Sequence, residues 1–334
     1  MSYFFLLIGI INFLFIYNYN KISIIYNLFD HPNEERKKQR FPVPLLGGIY
    51  FLLNFIFYFF YELNFGSWNF FYILGFINNI NIFVFITTIL LIFFLGFIDD
   101  KINLKPISKI VLFVFLLYIF FISNEKININ ELNILLLEKK IDLYQFSLPF
   151  SILCAVILIN ALNMMDGIDG ISVIFFSSIF FCFVFFNFQQ SFSIIILIAL
   201  FGFSILNFRG KAYLGDSGVY LLSFITAIFL ISFYEEKNLY VENILLMIFL
   251  PSIDFFRLVV IRIYKNKSPF LADRNHFHHL LESKFSKIKS YAVLTFFIYL
   301  PIILSLFLEI NEALALLIMI ILYLSFLYFL KKIN

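Results

Sequence analysis

The chain has 334 residues, of which 62% are hydrophobic, 22% aromatic and only 13% charged, with a formal net charge of +3 and a mean hydropathy of +0.97. Soluble domains carry about 25% charged residues. There is too little polar side chain here to cover a water-soluble particle, and too much apolar side chain for a disordered chain. The two cysteines, Cys154 and Cys182, both sit in apolar runs, which excludes a disulfide framework and a cysteine metal centre.

A bilayer-crossing helix needs about 20 largely apolar residues, with a lower limit near 17. In chain order, the runs that meet or approach this lie near 2–20, 45–61, 80–98, 107–122, 146–162, 171–187, 191–207, 218–233, 244–262, 291–308 and 313–330. The stretch 66–77, with Trp68, reads as an interfacial or additional segment. The first run lacks a basic n-region and a small-residue cleavage site, so it reads as a retained span and not a removed signal. The expected fold is all-α: a polytopic membrane bundle of ten or eleven transmembrane helices forming one domain over 1–334.

Lys and Arg concentrate on the cytoplasmic side of short loops. With eleven spans, 20 of the 24 fall on one side, leaving Lys126, Lys139, Lys140 and Lys237 on the other. The N-terminus is therefore expected outside and the C-terminus in the cytoplasm. Cytoplasmic loops are expected near 21–44, 99–109, 163–170, 208–217 and 263–290. A basic inner face is normal for any multispan protein, although it suits phosphate-bearing partners.

Charged and amide side chains at membrane helix ends cost free energy unless they are paired, hydrated or used, so they are the functional candidates. Asp99 and Asp100 close the third run. The fifth ends in Asn160-Ala161-Leu162-Asn163-Met164-Met165-Asp166-Gly167-Ile168-Asp169-Gly170, and the seventh leads into Asn207, Lys211 and Gly215-Asp216-Ser217-Gly218. Asn160 and Asn163 share a face of a continued helical turn, as do Asp166 and Asp169, and Gly167 and Gly170 let backbone approach a ligand. Five aspartates gathered on one face would repel one another and should recruit a divalent cation. Their oxygen donors suit Mg2+ or Mn2+ better than Zn2+. Helix capping would account for any one of these motifs, but less readily for all of them on one face.

The last long cytoplasmic segment holds Asp273, Arg274, His276, His278 and His279, with three of the four histidines inside four residues. The usual zinc spacings are absent. Arg and His opposite an acidic cluster suit a diphosphate or nucleotide, and a solvated polar loop is the bland alternative. Asp254 and Arg257, three apart in the ninth run, read as a structural pair.

These motifs, in this order from about Asp30 to Leu281, resemble the polyprenyl-phosphate N-acetylhexosamine-1-phosphate transferases of glycosyltransferase family 4. Asp30-His31-Pro32-Asn33 through Arg36-Lys37, Pro42, Pro44 and Gly47-Gly48 looks like the family's first loop. Asp99-Asp100 with Lys109 is similar to its paired-aspartate motif, and Asn160 to Gly170 fits Asn-x-x-Asn-x-x-Asp-Gly-x-Asp-Gly in full. Asn207, Lys211 and Gly215-Asp216 resemble the next motif, followed by Pro251, Asp254, Arg262, Ser268-Pro269-Phe270 and His276-x-His278-His279. Gln39 stands where the family usually has His, and Val219 where it usually has Ser.

The resemblance implies transfer of a HexNAc-1-phosphate from a UDP-HexNAc to a polyprenyl phosphate such as undecaprenyl phosphate, releasing UMP, with Mg2+ or Mn2+. The histidine pattern favours the GlcNAc-1-phosphate branch that initiates O-antigen, teichoic acid or other surface glycans, with the UDP-MurNAc-pentapeptide enzyme of peptidoglycan synthesis as runner-up. It places the chain in a bacterial inner membrane with its site at the cytoplasmic face and no nucleic-acid partner, and it leaves a homodimer open. Asp216 would hold the metal. Asp99 or Asp100 would take a proton or organise the site, and Asp166 and Asp169 would hold nucleotide or assist the metal. Asn160, Asn163 and Asn207 would offer amide contacts, and Lys109 and Lys211 would hold phosphates. Arg274, His276, His278 and His279 would bind the sugar-nucleotide end. A phosphate monoester is already largely ionised at neutral pH, so the chemistry does not demand a general base. A transporter or flippase would instead place polar residues near the bilayer midplane within internal repeats, and a dead scaffold would have lost a key acid.

Overall fold

The computed structural model describes residues 2–32, 41–66, 79–269, 274–308 and 310–332. Asn33, Arg36, Lys37 and Gln39 of the first-loop motif, nearly all of the 66–77 stretch including Trp68, and Phe270 and Asp273 lie outside them.

Each of the eleven apolar runs is helical. In chain order the helices are α1 (Ser2–Tyr17), α2 (Tyr19–Tyr26), α3 (Gly47–Phe65), α4 (Asn79–Ile102), α5 (Pro106–Ser123), α6 (Ser147–Met165) and α7 (Ile171–Phe185). They continue with α8 (Gln190–Asn207), α9 (Gly215–Lys237), α10 (Val241–Met247), α11 (Phe249–Tyr264), α12 (Phe277–Lys284), α13 (Lys287–Ile302) and α14 (Glu312–Lys332). Among the described residues, eight helices are long and apolar enough to cross a membrane, or ten when each of two bent pairs counts as one span. The upper count of ten agrees with the expected ten or eleven, and three of the runs depart from a simple crossing. The chain turns by 70° between α1 and α2 and by 89° between α10 and α11. The third is α7, whose 15 residues reach only about 22 Å, short of a hydrocarbon core of about 30 Å. An apolar run reports burial or lipid contact, and neither reports direction.

The fold is not purely helical. Phe29–Asp30 (β1) pairs antiparallel with Val43–Pro44 (β2), and Glu131–Ile134 (β3) with Lys139–Asp142 (β4) in a short hairpin. That hairpin sits on the far end of α9. The Tyr234 hydroxyl donates to the Glu131 carbonyl (3.0 Å) and accepts from the Asn133 N–H (2.7 Å), while Glu242 accepts the Leu135 and Leu136 N–H groups.

Almost all of α9 is buried, whereas most of α5 and α14 faces outward; α9 is the pillar against which α4, α6 and α3 pack. Its start, Gly215-Asp216-Ser217-Gly218, makes this approach possible from one side, and the facing glycines make it possible from the other. A Cβ on Gly48 or Gly96 would overlap Ser217. Farther along, rings fill the core: Phe192 of α8 lies 5.4 Å from Phe55 of α3 and 5.2 Å from Phe229 of α9. The abundant phenylalanines are therefore largely packing. The same pillar carries Asp216 at one end, so the buried helix against which the others pack also fixes the candidate site.

Candidate active site at one end of the bundle

The last turn of α4 carries adjacent acids, and the helix turn sends them to different partners. Asp100 reaches the start of α9, where its carboxylate accepts the backbone N–H of Asp216 (2.7 Å), the backbone N–H of Ser217 (3.1 Å) and the Ser217 hydroxyl (2.7 Å). Leu214, at the N-cap position, supplies no side-chain bond, so a carboxylate from another helix answers the orphan N–H groups and the positive helix end. Gly215 has φ +70°, and a Cβ there would meet the Asp100 carboxylate at 2.8 Å; glycine is required on both counts.

Asp99 is fully buried. It accepts the Leu104 N–H (2.8 Å) and the Tyr220 hydroxyl (2.7 Å), and it pairs with the Lys109 ammonium at the start of α5. Lys109 also stands 4.0 Å from Asp216, which bears on Asp99 and Asp100 as well. Asn163 of α6 comes within 3.5 Å of the Tyr220 hydroxyl.

Asp166 ends α6. Burial pushes its carboxyl up to about 6; the charges of Asp169 and Asp100 add to the effect and the Ser172 hydroxyl opposes it. Asp169 faces differently, with its carboxylate 3.0 Å from the Lys287 ammonium and its carbonyl accepting the Tyr291 hydroxyl. Gly170 (φ +85°) donates its N–H to the Asn207 side-chain carbonyl (2.8 Å), and the Asn207 amide donates to the Ala212 carbonyl (3.0 Å). Both ends of that amide thus fasten two loops of this site together. Asn160 donates to the Val156 carbonyl of its own helix. Lys211 is exposed at the same end.

The histidine segment docks beside these loops. Asp254 of α11 accepts from Arg257 (2.6 Å), the Tyr323 hydroxyl (2.9 Å), His276 Nδ1 (2.9 Å) and the Phe277 N–H (3.1 Å). The Asp254–Arg257 pair read in the sequence is present, but it is one part of a larger hub. His278 is buried and abuts Gly167, where a Cβ would overlap its Nε2. That nitrogen has no partner among the described residues. Burial, with His279 and His276 close by, holds the His278 imidazole well below the usual histidine range, so it stands neutral. The His279 ring lies 4.2 Å from that of His278, and Arg274 is exposed.

Asp99, Asp100, Lys109, Asn163, Asp166 and Asp216 therefore share one end of the bundle, with His278 joined to them through Gly167. Sequence reading missed Ser217, Tyr220, Gly96, Lys287 and Tyr323. Tyr220 was the accessible one, since it stands one helical turn after Asp216. The hydroxyl that serves Asp100 belongs to Ser217, whereas Val219 is buried.

Among the described residues no three His, Cys, Asp or Glu side chains converge closely enough to hold a metal ion. This donor set does not make an all-protein cage. It does fit a Mg2+ carried mainly by substrate phosphates and waters, which needs only one or two carboxylates, with Asp216 as the acid placed to supply one.

Residues 82–234 match the family model described as glycosyl transferase family 4. This stretch carries the likeness to that family. It contains the paired aspartates, Lys109, the Asn160–Gly170 signature and Asp216, and it ends before Asp254, the histidines and Tyr323. Among curated relatives, the undecaprenyl-phosphate alpha-N-acetylglucosaminyl 1-phosphate transferase of Salmonella typhi is 25% identical over 301 residues, covering 84% of this chain and 77% of that protein. The protein of the same name from Escherichia coli K12 is 27% identical over 284 residues, covering 80% and 72%. A probable undecaprenyl-phosphate N-acetylglucosaminyl 1-phosphate transferase of Bacillus subtilis is 28% identical over 202 residues, covering 57% and 55%. The likeness thus reaches beyond the family segment, at modest identity.

Proposed function

We propose that the chain transfers GlcNAc-1-phosphate from UDP-GlcNAc to undecaprenyl phosphate at the cytoplasmic face of a bacterial inner membrane, releasing UMP and beginning a surface glycan. The observation that carries this reading is the gathering of Asp99–Asp100, Lys109, Asp166 and Asp216 at one end of a membrane bundle inside the family segment. The names of the relatives supply the acceptor and the transferred group, and the family resemblance supplies the UDP-sugar donor. A long prenyl chain would stay in the bilayer while its phosphate meets a soluble nucleotide at that end. The distribution of Lys and Arg supports the inward orientation.

Phosphoryl transfer is catalysed mainly by positioning and by neutralising charge. Asp99 and Asp100 are both occupied as acceptors, so their part is to fix Lys109 and the start of α9, not to move a proton. Lys109 then offers a held cation beside Asp216 for phosphate oxygens. Mg2+ or Mn2+, when bound, would supply Lewis-acid neutralisation of the diphosphate, with Asp216 as its protein ligand. Asp166 and His278 Nε2, which has no partner among the described residues, are polar groups of the site left open for substrate.

The test is UMP release by the purified chain with undecaprenyl phosphate, Mg2+ and, in parallel, UDP-GlcNAc, UDP-GalNAc and UDP-MurNAc-pentapeptide. Lipid-dependent release from UDP-GlcNAc, lost in Asp216→Asn, is the expected result. Release from the pentapeptide donor alone would move the chain to the peptidoglycan branch. Folded protein that releases nothing with any donor would end the transferase reading.

A further inference from the structure

The last helix, α14, lies outside the family segment, yet it sends one polar group into the site. Tyr323 is fully buried, with its ring 5.0 Å from Phe277 and 5.9 Å from Phe297. Its hydroxyl donates to Asp254 Oδ1 at 2.9 Å and accepts from Arg257 Nε at 3.1 Å. Arg257 in turn holds Asp254 Oδ1 and the Asn275 carbonyl, each at 2.6 Å. With Oδ1 occupied by these donors, Oδ2 is turned to His276 Nδ1 (2.9 Å) and to the Phe277 N–H that opens α12 (3.3 Å).

A carboxylate met by this many donors only accepts, so the proton of a neutral His276 resides on Nδ1 and Nε2 is left as an acceptor. The His276 ring lies nearly parallel to that of His278, with centroids 5.5 Å apart, and His278 rests on Gly167 of the aspartate loop. An unbroken series of contacts therefore runs from the C-terminal helix to the open acids.

We propose that Tyr323 is a positioning residue: by orienting Asp254 it fixes the tautomer and placement of His276, and so shapes the site for a nucleotide-sugar donor. The tautomer part stands on the geometry alone, and the donor part rests on the transferase reading.

The chain has four histidines, which makes the proposal directly readable. The full-length protein, labelled with 15N-histidine in lipid nanodiscs, is measured by NMR at about pH 8.5, two units above the ordinary histidine pKa; the His276 signal is assigned by its loss in His276→Gln. The Nδ1-protonated form is expected to dominate in the wild type, and in Tyr323→Phe, which keeps the ring, its ratio to the Nε2-protonated form is expected to fall about tenfold. Phe297→Leu disturbs the packing of the same ring without touching the hydroxyl; it should lower the Tm and leave the ratio unchanged. In the transfer assay, Tyr323→Phe should raise the donor KM about fivefold with little change in kcat, the pattern of lost uniform binding. An unchanged ratio in Tyr323→Phe, an equal change in Phe297→Leu, or an unmoved KM beside a changed ratio would overturn the proposal. Wild-type protein without transfer activity would count against the transferase reading alone, since the tautomer measurement needs no turnover.

Discussion

Asp100 and Asp254 differ from Asp166 and Asp216 in what the fold gives them. Asp100 collects two backbone N–H groups and a hydroxyl; Asp254 collects a guanidinium, a phenol, an imidazole and a backbone N–H. Asp216 has the Lys109 ammonium only at 4.0 Å, with two further acids beside it, and Asp166 is short of hydration with acids for neighbours. The first pair is satisfied by the protein, and the second is left to be satisfied by something else. One spends its charge on structure, the other holds it ready for a ligand.

Removing a single charge from each kind of acid gives the sharpest contrast. Asp216→Asn should lower transfer about 10³-fold, close to 4 kcal/mol of barrier, while leaving the Tm equal to or above that of the wild type, because a repelling charge has gone. Asp254→Asn should instead lower folding stability by about 3 kcal/mol, since it takes the opposing charge from the half-buried Arg257 and an acceptor from the donors gathered on this carboxylate. Paired thermal unfolding and UMP-release measurements check both. An Asp216→Asn protein that unfolds early, or an Asp254→Asn protein of native Tm, would erase the distinction.

The division between the two kinds of acid was only partly legible in the sequence. Local features were readable: the apolar runs became helices, the Asn160–Gly170 signature did close one helix and open the next, and Asp254 did pair with the nearby Arg257. What escaped was long-range. Pro251 in the ninth run has no N–H for the Met247 carbonyl and so marks a break there, but nothing in the run announces that the turn between Met247 and Phe249 is as large as 89°. Asn207 carries an amide suited to ligand, yet the fold spends it on Gly170 and Ala212. Tyr323, an ordinary aromatic in a membrane helix, meets Asp254 only because α14 packs back across the bundle. Tyr220 and Ser217 were nearer to hand, lying within a turn of Asp216.

The junction between the two acid regions is open to a smaller intervention. Gly167 lies against His278, so Gly167→Ala would drive a methyl group into a buried imidazole. Overpacking of this kind costs about 2 kcal/mol, and the displaced ring should carry a loss of donor affinity with it. Gly9, where an added Cβ meets nothing within 4 Å, is the matched control: Gly9→Ala should leave stability and activity near wild type. Equal behaviour of the two alanine variants in thermal unfolding would mean that the histidine segment does not bear on the aspartate loop.

The smallest expected effect sharpens the comparison most, because its sign is opposite to that of an ordinary carboxylate. Asp166 is raised from 3.8 to about 6 in the folded protein, so between those values the folded state binds a proton that the unfolded state has released. Stability therefore falls as pH rises through that window, and above about pH 6 the folded chain carries the full cost of an ionised, poorly hydrated acid. Asp166→Asn removes that cost. With the metal chelated, the variant should match the wild type near pH 4 and exceed it at pH 8 by about 1 kcal/mol, after discount for the partial exposure of the group. Asp254, held by the Arg257 guanidinium, the Tyr323 hydroxyl and His276, is the contrasting case, and Asp254→Asn should be less stable than the wild type at pH 8. Thermal unfolding of the three proteins across this pH range measures the difference. If Asp166→Asn were destabilising at pH 8, the acid would have a partner in the folded protein, and it would belong with Asp100 and Asp254 instead of with Asp216.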